Sequence, residues 1–349
     1  MEEIYEAVHQ LLTQGDPVVI ITAIRREGSA PRGVGAKMLT TQGKEIFGTI
    51  GGGKVEEDVL AEAHQMFQTR DNRLKAFDMS HEDLVPGHMV CGGRMEFLLE
   101  YVAPNEKNCS FFDAVKDGYN SKQSLLVTTV WGAEETNPVI SRGLAAADGL
   151  IKGDLTLDEE TLKHVQDRSD SQKQPALLAF ESIYCWIEPL LDQGKLILFG
   201  AGHVALPVAQ IANLAGFQVL ALDDREEYAS SERFPPPMAV KVVKDFDNCL
   251  SEIEVDENSY LVIVTRAHVH DKTVLAQALQ SKAGYIGMIG SRKKRRVIYT
   301  ALRDEGVSDE VLEQVYSPIG LEINAETPEE IAVSIMAELI KVRAEKMRD

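Results

Sequence analysis

The sequence predicts an α/β protein in which a mixed α+β domain, residues 1–190, precedes a doubly wound parallel sheet, residues 191–349. Three observations lead there. The run from Lys195 to Asp224, KLILFGAGHVALPVAQIANLAGFQVLALDD, has the order strand, tight turn, helix, strand and acid. After it, β-rich runs at Ala239 to Val243, Tyr260 to Val264 and Tyr285 to Ile289 alternate with helical patterns near 271–280 and 291–305. Such alternation produces a parallel sheet with right-handed crossovers. The third observation is length: 349 residues exceed one ordinary core, so two domains of roughly 150 to 180 residues are expected.

Composition narrows the partners. With 36 Lys and Arg against 55 Asp and Glu, the net charge is -19, which repels a nucleic-acid backbone or an anionic membrane surface. A small anionic ligand is still compatible, because local backbone amides can hold it. Cys91, Cys109, Cys185 and Cys249 show no CxxC spacing, so neither a disulfide framework nor a zinc knuckle is indicated, and a reduced cytoplasm fits. The opening MEEIYEAVHQLL is acidic and amphipathic, unlike a secretory signal. No apolar run approaches the ~20 residues that span a bilayer.

Taken in order, residues 2–14 read as a helix with Ile4, Val8, Leu11 and Leu12 on one face, ended by Asp16 and Pro17. Val18 to Ile24 is a strand by its β-branched content. Arg25 to Met38 follows, with Gly28, Gly33, Gly35 and Pro31 among Arg25, Arg26, Arg32 and Lys37. It reads either as a solvated turn or as an anion-binding loop leading into a strand at Lys37 to Thr41. That strand and Glu45 to Ile50 form a hairpin, which runs into Gly51, Gly52 and Gly53 and a helix to about Phe67. Each glycine costs roughly 1 kcal/mol against alanine, so the triplet is either a packing-driven turn or a second place where amides receive a ligand. Strands are expected at Leu74 to Phe77 and Arg94 to Val102, with Cys91, Gly92 and Gly93 at the junction between them. There Cys91 is either a small buried hydrophobe or a metal or sulfur ligand. A helix at 109–119, a strand at Gln123 to Trp131, a polar stretch to Gln174 with a short helix at Leu155 to Val165, and two strands in Pro175 to Leu191 complete the first half.

In the second half, Lys195 to Phe199 leads into Gly200, Ala201, Gly202, His203, Val204 and Ala205. Gly200 permits the sharp turn, Gly202 lets the backbone approach a pyrophosphate, and Ala205 lets helix and strand pack closely. Val204, Val208, Ile211, Ala212 and Ala215 repeat at helical spacing, and Gly216 closes the helix. Asp223 then stands about twenty residues beyond the glycines, where an acid bonds ribose hydroxyls. Together these parts define a Rossmann-type unit, with the helix start favouring an anion. Thr265 to Asp271 follows the strand at Leu261 to Val264 and faces the same crevice. His268 and Asp271 there read as metal ligands or an acid-base pair, or Asp271 as a helix cap. Arg292, Lys293, Lys294, Arg295 and Arg296 open a helix against its dipole, so an acidic neighbour or a phosphate must compensate them.

These motifs together resemble the XdhC/CoxI family, the accessory factors of xanthine dehydrogenase and related molybdenum hydroxylases. The resemblance covers nearly the whole chain. It rests on Gly28 to Arg32 with Gly35 to Met38, Gly48 to Gly53 with Glu56, Cys91 to Gly93, Phe199 to Ala205, Asp223 to Arg225, Thr265 to Asp271, Tyr285 to Ser291, and SPIGLEINAETPEEIAVSI from Ser317. It implies a small N-terminal domain, a C-terminal Rossmann domain and a chaperone that binds the molybdenum cofactor, helps its sulfuration by a cysteine desulfurase and delivers it to an apo-hydroxylase, commonly as a homodimer. Cys91 falls on the family's cysteine before two glycines, and Gly200, Gly202 and Asp223 on its nucleotide fingerprint.

The candidate cofactor-binding set is therefore Gly200, Gly202, His203, Ala205, Asp223 and Arg266, with Gly51, Gly52, Gly53, Arg32 and Cys91 in the first half. No residue is assigned a catalytic or metal-binding role. The rival is an NAD(P)-dependent oxidoreductase, since one fingerprint serves both. Asp223 favours NAD over NADP by repelling a 2′-phosphate, a preference that Arg225 blurs. A docking protein with an empty Rossmann unit is the third possibility.

Overall fold

The structure, a computed structural model, describes residues 2–28, 33–78, 93–119, 126–132, 137–146, 149–155, 157–168, 174–190 and 194–346. The chain divides into two units, Met1–Leu191 and Asp192–Asp349.

In the first unit β1 (Val18–Gly28), β2 (Lys37–Thr41), β3 (Ile46–Gly48), β4 (Arg73–Asp78) and β5 (Gly93–Val102) form one sheet in the order β3-β2-β1-β5-β4. Every pair is antiparallel. The start of β1 is a nearly unbroken apolar run because both its faces are covered. Val18 and Ile20 enter a core with α1 (Glu2–Gln14) and α3 (Glu106–Tyr119), while Val19, Ile21 and Ala23 pack with α2 (Gly53–Thr69). β1 also continues through Arg25 to Gly28, so the basic stretch begins as strand, with Arg25 paired to Glu96 at 3.1 Å.

A second antiparallel sheet runs β8-β7-β6-β10-β9, from β6 (Leu126–Gly132), β7 (Ser141–Ala146), β8 (Gly149–Gly153), β9 (Ala176–Ala179) and β10 (Ile183–Pro189). β7 and β8 lie in the stretch read above as polar and without strands. Their sequences, SRGLAA and GLIKG, carry little intrinsic β preference, and the pairing of β7 with β6 and of β8 with β7 supplies it. α4 (Glu159–Gln166) starts at Asp158, whose carboxylate accepts from the Thr161 amide at 2.7 Å. The two sheets are tied by buried polar groups. Lys37 of β2 meets Glu188 of β10 at 2.7 Å and donates to Thr22 Oγ1 at 2.9 Å. Glu188 also accepts from the Tyr5 hydroxyl at 3.0 Å and the Trp186 indole at 3.2 Å. Lys37 thus belongs to the core.

The second unit holds a parallel sheet in the order β13-β12-β11-β14-β15, from β11 (Lys195–Phe199), β12 (Gln218–Asp223), β13 (Ala239–Val242), β14 (Ser259–Ile263) and β15 (Tyr285–Met288). Leu196 and Leu198 face a core with α5 (Ala205–Leu214) and α9 (Pro328–Lys346). Ile197 and Phe199 face the opposite core with α6 (His268–Ala278), α7 (Arg292–Asp304) and α8 (Asp309–Glu313). A doubly wound α/β sheet is the result, and strand order reverses between β11 and β14. The signal for α9 was the sequence Thr327-Pro-Glu-Glu330, a capping box with proline at the first helical position. Glu330 N donates to Thr327 Oγ1 at 3.2 Å and Thr327 N to Glu330 Oε2 at 3.1 Å. Among the described residues, no helix is long and apolar enough to cross a membrane.

Candidate functional site

At the carboxyl end of β11 the chain turns through Gly200, whose φ is +105° and whose added Cβ would lie 2.5 Å from the Val264 carbonyl oxygen. Only glycine satisfies both conditions. The next peptide is fixed from both sides: Ala201 N donates to Asp223 Oδ2 at 2.9 Å, and Arg233 donates to Ala201 O at 2.7 Å. Gly202 differs, since a Cβ there would meet nothing within 4 Å. His203 is exposed, and Ala205 is buried where α5 begins. Val204 caps α5 without a side-chain hydrogen bond; in the first turn Leu206 N donates to Gly202 O at 3.3 Å and Pro207 has no N–H.

Asp223 ends β12 and is buried. Besides the Ala201 amide, its carboxylate accepts from Arg225 N at 3.1 Å, Arg225 Nε at 2.8 Å and Arg225 Nη2 at 3.0 Å. Burial alone would raise its pKa, but the Arg225 guanidinium and the Ala201 amide outweigh burial and hold the carboxyl below its ordinary value. Arg225 itself lies 3.7 Å from the centroid of the Tyr228 ring. Asp224, the next residue, has one oxygen paired with Arg266 Nη2 at 2.6 Å. Its other oxygen, Oδ1, is buried without a hydrogen-bond partner. Tyr228, Arg233 and the distinct state of Asp224 escaped the sequence reading.

Beyond β14, Asp271 is not a helix cap. Ala267 is the N-cap of α6, and Asp271 is buried one turn later. It accepts from Thr265 Oγ1 at 2.7 Å and pairs with Lys294. That ion pair compensates one of the five cations that open α7, and Arg295 lies 4.8 Å from the centroid of the Tyr299 ring. Among the described residues, no group of three or more His, Cys, Asp or Glu is placed to hold a metal ion.

The glycine triplet of the first unit lies at a helix start of its own. Gly51, Gly52 and Gly53 have φ of 129°, 75° and 70°, and a Cβ at Gly52 or Gly53 would meet nothing within 4 Å. The chain's own Glu56 and Thr49 serve part of this turn: Glu56 Oε2 accepts from Gly52 N at 3.0 Å, Ile50 N at 3.1 Å and Thr49 Oγ1 at 2.7 Å, and Gly51 N donates to Thr49 Oγ1 at 3.1 Å. Burial pushes the Glu56 carboxyl up, but the Thr49 hydroxyl and the Gly52, Ile50 and Gly51 amides bring it below its ordinary value. Cys91 and Arg32 lie outside the described residues. Burial pushes the Cys185 thiol up to about 12 and the Cys249 thiol up to about 11, so neither supplies a thiolate at neutral pH.

A parallel sheet with a glycine turn at its switch point and carboxylates at the end of the second strand defines a Rossmann-type unit, here following a unit of two antiparallel sheets. A family model described as the XdhC Rossmann domain matches residues 196–339, and one described as the XdhC and CoxI family matches residues 11–78. The chain belongs to the XdhC/CoxI family. It is 28% identical over 98% of its length, and 98% of the relative's, to a Bacillus subtilis protein named as a probable xanthine dehydrogenase subunit. It is 22% identical over 97% of its length, and 88% of the relative's, to the molybdenum cofactor insertion chaperone PaoD of Escherichia coli. Its fold is similar to the crystal structure of a Bacillus halodurans protein described as a xanthine dehydrogenase, with TM-score 0.79, 26% identity, and coverage of 98% of this chain and 96% of that one.

Proposed function

We propose that this protein is an accessory factor for xanthine dehydrogenase-type molybdenum hydroxylases, which binds the molybdenum cofactor as cargo, assists its sulfuration and hands it to the apoenzyme. The observation that carries this is the end-to-end similarity to a molybdenum cofactor insertion chaperone, 97% of this chain against 88% of that one. The parallel-sheet unit supports it chemically. Open space over Gly202, at the turn into α5, and the exposed Arg266 suit a phosphate-bearing ligand. In this reading Gly200, Gly202, His203, Ala205 and Arg266 hold the cargo's phosphate end and Asp223 keeps the turn in shape; Arg32 and the Gly51 to Gly53 turn, part of whose amides Glu56 already serves, are a separate candidate within the first unit. Cys91 takes part in sulfur transfer from a cysteine desulfurase. The protein acts as a homodimer in the cytoplasm.

The test is molybdenum and pterin analysis of the chain purified after co-expression with cofactor-synthesis genes. Near-stoichiometric metal and pterin are expected. Their absence, with saturable NAD binding instead, would favour an NAD(P)-dependent oxidoreductase. Cys91→Ser is expected to lower the activity of the client hydroxylase while cofactor binding persists, and a fully active client would remove Cys91 from the mechanism.

A further inference from the structure

We infer that two copies of this chain pair through α9, antiparallel, with Val333, Ala337, Ile340 and Ala344 of one copy lying on the same four residues of the other. This rests on the homodimer reading and names the surface that forms it. One side of α9 is already committed: Ala332, Ile335, Met336, Leu339 and Val342 are buried in the core shared with α5. A surface helix normally carries polar residues around the rest of its circumference. Here Val333 is 51% and Ile340 41% exposed. With the half-buried Ala337 and the exposed Ala344 they recur at steps of four, three and four residues, the spacing of a helix-to-helix seam. The helix therefore has a second apolar stripe beside the one that meets α5. Near its C-terminal end stands Leu214 of α5, 86% exposed, on a helix end tied to α9 by the Arg343 Nη1 bond to Ala215 O at 3.0 Å.

The stripe is complementary to itself. About a two-fold axis between Ala337 and Ile340, the antiparallel register sets Val333 against the partner's Ala344, and Ala337 against the partner's Ile340. Each layer then joins one branched side chain to one methyl group, so the backbones close without overlap or void. Parallel pairing would set Val333 on the partner's Val333 and Ala337 on the partner's Ala337, alternating crowding with gaps. Charge selects the same direction. α9 carries Glu329 and Glu330 in its first turn and Arg343 and Lys346 in its last, so antiparallel helices bring acidic turns beside basic ones and oppose their macrodipoles. With a net charge of -19, two copies repel each other in general. A face whose two ends balance in sign is where that repulsion is least.

Sedimentation equilibrium of the full chain tests this, with a dimer expected for the wild type. Ile340→Glu is expected to weaken dimerisation by about a hundredfold or more, roughly tenfold for each of the two copies of the charge, with an unchanged far-ultraviolet circular dichroism spectrum because Ile340 lies outside the core. A chain carrying both Ala337→Cys and Ile340→Cys should form a disulfide-linked dimer in air, whereas Val333→Cys with Ala337→Cys should not. A wild-type monomer would overturn the inference and leave the stripe to another partner. A dimer untouched by Ile340→Glu, or linked only by the control pair, would place the interface elsewhere and overturn it equally. Cofactor retained by a monomeric chain would sink this inference and leave the accessory-factor reading standing; an α9-linked dimer that holds no cofactor would do the reverse.

Discussion

Around Asp223, four short hydrogen bonds join the glycine turn, the end of β12 and the loop that follows it. Removing the carboxylate strands a half-buried guanidinium and an inward amide, so Asp223→Ala should cost about 3 kcal/mol. A urea midpoint within experimental error of wild type would show that the cluster relaxes freely. Asp223 and Glu56 also set the acid limit. Both folded pKa values are depressed below the ordinary carboxylate range, so the folded state binds these protons less readily than the unfolded chain. Their stabilisation is complete above about pH 4.5 and is lost as pH falls through the depressed folded values. Urea midpoints should therefore be insensitive to these two groups from pH 7 to about 4.5 and fall below that, with a shallower acid limb in Glu56→Gln. An unchanged limb in that variant would contradict the assignment.

Among elements, the turn from β11 to α5 holds two glycines with different physical reasons. At Gly200 a methyl group would strike the Val264 carbonyl and the backbone is left-handed, so Gly200→Ala should destabilise the parallel-sheet unit by about 2 kcal/mol or more. At Gly202 a side chain meets open space. Gly202→Leu should thus melt like wild type yet lose nucleotide or cofactor binding by blocking approach to the glycine turn. Unchanged binding in that variant would move the site elsewhere. The order strand, glycine turn, helix, strand and acid was legible because each part is a local pattern: apolar runs at β11 and β12, helical spacing in α5, glycine where φ turns positive. β7 and β8 were not legible, since strands with little β propensity exist by virtue of the neighbour they pair with. α9 was legible in principle from its capping box, which the reading passed over as part of a longer motif.

For the molecule as a whole, a net charge of -19 means that the compact state works against its own repulsion. Thermal stability should rise as salt increases from about 10 mM to about 150 mM and the Debye length shortens from roughly 30 Å to 8 Å. A fall would show that exposed ion pairs such as Lys54 with Asp58 outweigh the diffuse field. The buried pair of Lys37 with Glu188 marks a boundary of sequence reading. Lys37 stands in a basic, glycine-rich stretch and looks available to an anion, yet it is enclosed with a glutamate 151 positions away.

What the sequence determined by itself was the fold class, the glycine turn and the family, because periodicity, chirality of backbone and motif order are written in neighbouring residues. What the tertiary structure decided was which polar groups remain free to act. Asp223 and Asp224 are the same side chain one residue apart, and Glu56 and the Gly52 amide are distant only by a turn of helix. Hydrogen-bond capacity is finite, and whether it is spent internally depends on donors that folding brings from Ala201, Arg225 and Arg266.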